Sequence, residues 1–196
     1  MGRTIDYYNN NSDIFNADTA DVCFDEVQTR FLSHLPQNAL ILDFGCGSGR
    51  DSKYFLEKGF RVEATDGSAE MCKIATRNTG LEVKLMLFAE LSEAEKYDGI
   101  WACASILHLT EEELEDVWLK MIKATNKGGY IYTSFKYGDF RGYRGERYYT
   151  DYTEETFHKF IRKYSNLEII DEWQSSDVRP GRGEERWLNL ILRRTS

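Results

Sequence analysis

Leu40-Ile41-Leu42-Asp43-Phe44-Gly45-Cys46-Gly47-Ser48-Gly49-Arg50-Asp51 is a short apolar run that ends in an acid and then in three glycines at alternate positions. It reads as a buried strand that feeds a tight loop and then a helix. Glycine has no side chain, so a ligand can approach the bare backbone of such a loop. The strand predicted over Ala39–Phe44 sits between two helical signals. Upstream, from Asp21, Val22, Phe24, Val27, Phe31, Leu32 and Leu35 recur at helical spacing until Pro36 stops them. Downstream, Arg50 to Lys58 reads as a helix ended by Gly59 in a left-handed stop.

The alternation continues along the chain. Phe60–Thr65 is a second strand that closes in Asp66-Gly67, and Ser68 is placed to cap the next helix, which presents Met71, Ile74 and Ala75 and runs out near Gly80. Val83–Phe88 reads as a third strand and Tyr97–Ala104 as a fourth, apolar almost throughout, as a strand buried on both faces is. Thr110-Glu111-Glu112-Glu113 is a capping box opening a helix with Leu114, Val117, Trp118, Met121 and Ile122 in register. Gly128-Gly129 leads into a fifth strand, Tyr130–Phe135. Strand and helix in strict turn predict a doubly wound α/β sheet. The C-terminal part departs from this. Lys136 to Thr150 reads as a long polar loop, followed by a helix presenting Phe157, Phe160, Ile161 and Tyr164. Leu167–Trp173 and Trp187–Arg193 then follow with no helix between them, which predicts an antiparallel hairpin. Residues 1–19, polar with Tyr7, Tyr8 and Phe15 interleaved, read as a flap or a short helix rather than a packed element. The expected division is a flap and helix over 1–38 and a binding domain over 39–196, one domain overall.

Bulk properties narrow the function. The 196 residues carry 25 Lys and Arg against 33 Asp and Glu, a formal charge of −8. An acidic chain is not expected to bind nucleic acid, which calls for a basic face. A chain of this length buries about 70% of its unfolded surface and needs no metal or disulfide staple. Cys23, Cys46, Cys72 and Cys103 are widely spaced with no C-x-x-C pair, which points to a reduced, cytoplasmic protein, and Cys103 reads as a packed core thiol. The histidines are scattered, so no metal site is expected. The first ten residues have no apolar signal core, and the longest mostly apolar run is too short to span a bilayer.

In open α/β sheets a ligand sits beyond the carboxyl ends of the strands. A nicotinamide fingerprint there wants a third glycine where this chain has Arg50. The observed G-x-G-x-G, with Asp43 before it and Asp66 at the end of strand two, resembles motif I of the class I S-adenosylmethionine-dependent methyltransferases. The resemblance extends over roughly residues 39 to 194. Phe88-Ala89-Glu90-Leu91 stands where that class places adenine contacts, and Tyr97-Asp98-Gly99-Ile100 through Ser105-Ile106-Leu107-His108 is similar to its fourth-strand motif. Gly49-Arg50-Asp51-Ser52, Ser134-Phe135-Lys136 and Arg179-Pro180-Gly181-Arg182 resemble a bacterial subgroup labelled tellurite-resistance-like.

The resemblance implies a Rossmann-like seven-stranded sheet ordered 3-2-1-4-5-7-6 with strand 7 antiparallel, and S-adenosyl-L-methionine as cofactor. It implies cofactor contacts from Asp43, Gly45, Cys46, Gly47, Ser48 and Arg50. Asp66, on the ribose hydroxyls, and Gly67, Met71, Ala89, Glu90, Ala104 and Ser105 complete the set. Tyr8, with Tyr7, reads either as closing over the cofactor when the N-terminal flap orders or as part of a frayed terminus. Arg50 meets either the methionine carboxylate or a nearby acid such as Asp51. The chain lacks the Pro-Pro-aromatic motif of amino-methylating DNA enzymes and the carboxylates past strand four that metal-dependent catechol-type enzymes use. Metal-free, in-line transfer to a small molecule is therefore the expectation, with no nucleic acid or membrane partner; the oligomeric state is left open. The loops over 136–150 and 174–186 each bring three arginines to the sheet edge. Arg147, Tyr149, Arg179, Arg182 and Trp187 accordingly read as binding an anionic substrate, against the alternative of a solvated, salt-bridged rim. His108, just past strand four, reads either as a base or as structural. A nicotinamide-dependent reductase and a non-catalytic cofactor-binding module stand as alternatives.

Overall fold

The computed structural model describes residues 2–20, 22–179 and 181–196; Asp21, where the first helical signal begins, and Pro180 of the predicted turn lie outside them. Seven strands form one sheet, flanked by helices on both faces, in the order β3-β2-β1-β4-β5-β9-β8. The strands are β1 Leu40–Phe44, β2 Arg61–Asp66, β3 Lys84–Leu85, β4 Tyr97–Ala102, β5 Thr125–Lys136, β8 Leu167–Ser176 and β9 Arg186–Arg194. β1 through β5 pair in parallel, and β9 runs antiparallel between β5 and β8. This is the expected order 3-2-1-4-5-7-6 once the additional hairpin, β6 Arg141–Arg144 with β7 Arg147–Thr150, is counted in chain sequence.

Strand pleating sends alternate residues to opposite faces. Ile41 and Trp101 go to one side, where Val27 and Phe31 of α3 (Asp25–Leu32) and Phe55 of α4 (Arg50–Glu57) cover them. Leu42, Phe44, Ile100 and Ile131 go to the other, against α6 (Glu111–Ala124) and α7 (Glu154–Ile161) through Leu114, Trp118, Met121 and Phe157. α5 (Ala69–Thr79) follows β2, capped by Ser68, whose side chain accepts the Met71 N–H at 3.2 Å, and closed by Gly80 at φ 76°. The Thr110 capping box on α6 is present as predicted.

Four sequence expectations change. The third strand is two residues, because Lys84 and Leu85 are exposed at the sheet edge and a short turn over Phe88–Glu90 follows. The fourth strand stops at Ala102, since Ala104 takes φ 49°, a left-handed torsion that a strand cannot contain. The 136–150 stretch is not a loop but carries the β6–β7 hairpin, turned at Gly145 with φ 61°. Residues 2–19 are two packed helices, α1 Gly2–Asn10 and α2 Ser12–Thr19, with Thr4 buried. No helix among the described residues is long and apolar enough to cross a membrane.

Candidate active site

A cavity of about 720 Å³ opens at the carboxyl ends of the parallel strands. Its floor is the loop after β1. Gly45, Gly47 and Gly49 all have positive φ (85°, 56° and 81°), the region that disfavours any side chain. Space enforces the same choice: a Cβ on Gly45 would lie 2.6 Å from Cβ of Ser105. The loop is held against β2, whose Thr65 carbonyl accepts the Gly45 and Cys46 N–H groups, both at 2.9 Å.

Asp66 ends β2 beside this loop. Its Oδ2 accepts the Gly47 N–H at 2.9 Å and its Oδ1 the Ser68 N–H at 2.8 Å. Burial raises the pKa of this carboxyl, and the backbone N–H groups of Ser68, Gly47 and Gly67 oppose the shift. No cation is paired with it among the described ion pairs. Both oxygens accept from backbone N–H groups and each has lone-pair capacity for one more hydrogen bond, an acceptor pair that the two hydroxyls of a vicinal diol can satisfy. Beside it, Ile5, Met71, Met86, Leu87 and Phe88 make an apolar wall suited to a flat ring. The residues present thus fit an adenosyl group.

Of the cofactor residues expected from the sequence, the loop residues Gly45, Cys46, Gly47, Ser48 and Arg50 line the cavity. So do Asp66, Gly67, Met71, Ala104, Ser105 and Tyr8. Three do not. Asp43 is buried beneath the loop, where it accepts the Ser52 hydroxyl at 2.6 Å; burial, and then the nearby Asp51 charge, push it up to about 8. Its part is to tie β1 to α4. Ala89 and Glu90 are replaced at the cavity wall by Met86, Leu87 and Phe88, and the Glu90 carboxylate turns back to cap the Leu87 N–H at 2.6 Å. Arg50 meets Asp51, at 2.7 and 3.0 Å, rather than standing free; Asp51 also accepts from Gln28 and from the Trp101 indole. Cys103 is not sealed in the core but half-buried on the cavity wall, with its thiol pushed up to about 12, first by burial.

The two N-terminal helices cross the mouth. Asn9 accepts the Ser68 hydroxyl at 2.7 Å, Thr19 meets Ser48 at 3.3 Å, and the Phe15 ring stands 3.2 Å from where a Cβ on Gly47 would be. Tyr8 reaches His108, hydroxyl to Nε2, at 2.9 Å. The Nδ1 of His108 lies 2.6 Å from the Tyr148 carbonyl, which can only accept, so Nδ1 carries the proton and Nε2 takes the Tyr8 hydroxyl. Burial holds His108 down at about 4, neutral near pH 7, and raises Tyr8 to about 12.

Opposite the glycine loop, the β6–β7 hairpin and the β8–β9 connection supply charge. Arg147, Tyr149, Arg179, Arg182 and Trp187, the expected substrate residues, all line this half. Most of its cations are already partnered. Arg144 grips Asp151, Arg179 grips Asp177 at 2.9 and 2.6 Å, and Lys136 meets both Asp177 and Glu185. Asp177 also accepts the Trp187 indole N–H at 3.1 Å. Lys136, Asp151 and Asp177 had no assigned role in the sequence, because nothing local ties Asp177 to Lys136. Among the described residues no group of three or more His, Cys, Asp or Glu side chains is placed to hold a metal ion.

Known proteins share this fold. Residues 41–129 match the family model described as a methyltransferase domain. Over 113 residues the chain is 28% identical to the putative methyltransferase YqeM of Bacillus subtilis, covering 52% of this chain. It spans about half, 46%, of that relative's length. Among solved structures it is similar to the 1,6-didemethyltoxoflavin-N1-methyltransferase of Burkholderia thailandensis, which holds S-adenosylhomocysteine and 1,6-didemethyltoxoflavin. That match has a TM-score of 0.77 at 24% identity and covers 98% of this chain and 85% of the other. The magnesium protoporphyrin IX methyltransferase of Synechocystis, with bound S-adenosylhomocysteine, matches with a TM-score of 0.76 at 19% identity, covering 99% and 100%. The fold is the Rossmann-like fold of methyltransferases.

Proposed function

We propose that this protein transfers the methyl group of S-adenosylmethionine to a small, anionic molecule. The observation that carries the reading is Asp66, a carboxylate at the end of β2, free of cations and fixed by the N–H groups of Gly47 and Ser68 against an apolar wall. When bound, S-adenosylmethionine supplies a methyl group already activated on a sulfonium, so the protein needs only to align an acceptor and exclude water. Alignment of this kind contributes on the order of 7–11 kcal/mol to lowering a barrier. Asp66 receives the ribose hydroxyls, and the bare backbone of Gly45–Gly49 admits the rest of the ligand. Arg50 acts through Asp51, pinning the first turn of α4 under the loop. Tyr8 and Phe15 close the mouth. His108 is a positioning residue in this reading: its Nε2 holds the Tyr8 hydroxyl, and burial leaves it a weak base. The arginine-bearing half receives the acceptor. The tellurite-resistance-like label is the finer reading, and tellurite, an oxyanion, belongs among the acceptors tried.

Titration calorimetry with S-adenosylhomocysteine and, separately, NADH tests the proposal. Only the first is expected to bind, raising stability by about 2.7 kcal/mol at a hundredfold excess over Kd. Silence with S-adenosylhomocysteine sinks the reading, and a response to NADH alone replaces it with a reductase. Turnover of methyl-labelled S-adenosylmethionine against small anionic metabolites and tellurite then separates an enzyme from a binding module.

A further inference from the structure

The charges that line the loop half of the cavity do not balance residue by residue. Arg144 is neutralised by Asp151, Arg179 and Lys136 by Asp177, and Arg182 lies 3.9 Å from Glu185. Arg186 is exposed and bonds the Ser176 hydroxyl at 3.2 Å. Arg147 differs from all of these. Among the described residues it has no carboxylate partner, yet it is not exposed. Its guanidinium sits among three rings instead, 4.6 Å from the centre of Tyr7, 5.5 Å from Tyr149 and 5.9 Å from Tyr8.

Register makes this arrangement costly. Arg147 is directly opposite Arg144 across the β6–β7 hairpin, and like charges in that position repel. Arg144 is relieved by Asp151, whereas Arg147 has aromatic faces and a hydrogen bond to the neutral Tyr8 hydroxyl, which attract a cation without cancelling its charge. A half-buried, uncancelled guanidinium in a cavity wall is completed by an anion, and the rings around it exclude the water that would weaken the pair.

We infer that Arg147 anchors a single localised negative charge on the methyl acceptor, making that acceptor a carboxylate or similar monoanion rather than a phosphate monoester. A second charge would meet a wall whose other buried cations are spent and where Asp177, Glu184 and Glu185 stand. The inference rests on the methyl-transfer reading only in calling the ligand an acceptor.

Three probes built on one phenyl ring decide it: benzoate, its neutral isostere benzamide, and phenyl phosphate; the ring suits the walls made by Tyr149 and Trp187. Each is titrated into wild type, Arg147→Met and Arg147→Lys, all saturated with S-adenosylhomocysteine. Benzoate is expected to bind more tightly than either other probe. Arg147→Met is expected to weaken benzoate about ten- to a hundredfold while leaving S-adenosylhomocysteine affinity unchanged, with Arg147→Lys recovering part of the loss. Equal binding of benzamide, tighter binding of phenyl phosphate, no effect of Arg147→Met on benzoate, or no benzoate binding at millimolar concentration overturns the assignment. Loss of S-adenosylhomocysteine affinity in Arg147→Met overturns it too, because the residue would then serve the lid. If wild type does not bind S-adenosylhomocysteine, the cofactor reading fails alone, and benzoate titrated into the protein by itself still decides the anchor.

Discussion

Asp66 and Asp177 stand at opposite ends of one cavity and are held in opposite ways. Asp66 is held by the backbone N–H groups of Gly47, Gly67 and Ser68, all within 19 residues of it in sequence, and burial raises its pKa. Asp177 is gripped by Arg179, Lys136 and the Trp187 indole, which hold its carboxyl far below the usual carboxylate range despite burial. Among the described ion pairs the first carboxylate has no cation, so its charge is available to a ligand. The second is consumed in joining loops to the sheet. The glycine-loop half is thus made of strand ends and backbone, and the arginine-bearing half of side-chain ion pairs, one of which, from Lys136 to Asp177, joins remote segments. A carboxylate in a cleft becomes a ligand site only when the protein leaves it unneutralised, and the same holds with the sign reversed for Arg147.

The sharpest way to break this contrast is Asp66→Ala. Two hydrogen bonds to a charged group contribute about 1.5–3 kcal/mol each, so S-adenosylhomocysteine affinity is expected to fall about a hundredfold or more by calorimetry. The melting temperature should shift little, because the freed Gly47 and Ser68 N–H groups face the cavity. A large loss of stability with little loss of binding would mean that Asp66 is structural, as Asp177 is.

Asp177→Asn should do the reverse, lowering stability by roughly 3 kcal/mol because Arg179 loses its charge partner and Lys136 one of its two. The pH dependence gives a second reading. A depressed folded pKa contributes stability that is complete above the unfolded value of about 3.9 and is lost as pH falls through the folded value. Thermal melts of wild type and variant should therefore converge below about pH 4. A constant gap across that range would remove the ion-pair explanation.

Tyr8→Phe is the mildest of the three. It deletes the hydroxyl that meets His108 Nε2 while keeping the ring against Phe15, and should cost about 1 kcal/mol. Hydrogen exchange of the α1 amides should quicken several-fold with little change elsewhere. Equal acceleration in α5 would show that lid and cofactor half open as one unit.

The sequence made the cofactor half legible because its determinants are local. The apolar run before Gly45, the glycines at alternate positions and Asp66 at the next strand end each carry their reason in a few neighbours. The Ser68 cap and the Thr110 capping box were readable for the same cause. The 141–150 hairpin was missed although Gly145-Glu146 is a two-residue turn signal, because the arginines on both sides gave the stretch the look of a polar loop. Ala89 and Glu90 were misplaced by a register of one to three residues, since β3 ends early and Phe88 turns inward.

What the sequence determined by itself was the alternation of strands and helices, the closing hairpin and the end of the sheet at which the glycine loop stands; the order of the strands came from the resemblance its motifs carry. Period, glycine torsion and helix capping act over a few residues and survive without knowledge of the rest of the chain. Only the tertiary structure decided which charges are spent. Arg50 goes to Asp51, Arg144 to Asp151 and Arg179 to Asp177, while Arg147 is left among tyrosines drawn from the first helix and the hairpin. Coulomb partners are chosen by distance in space, and a chain in which the partners are Lys136 and Asp177, or Tyr8 and His108, does not write that distance in its sequence.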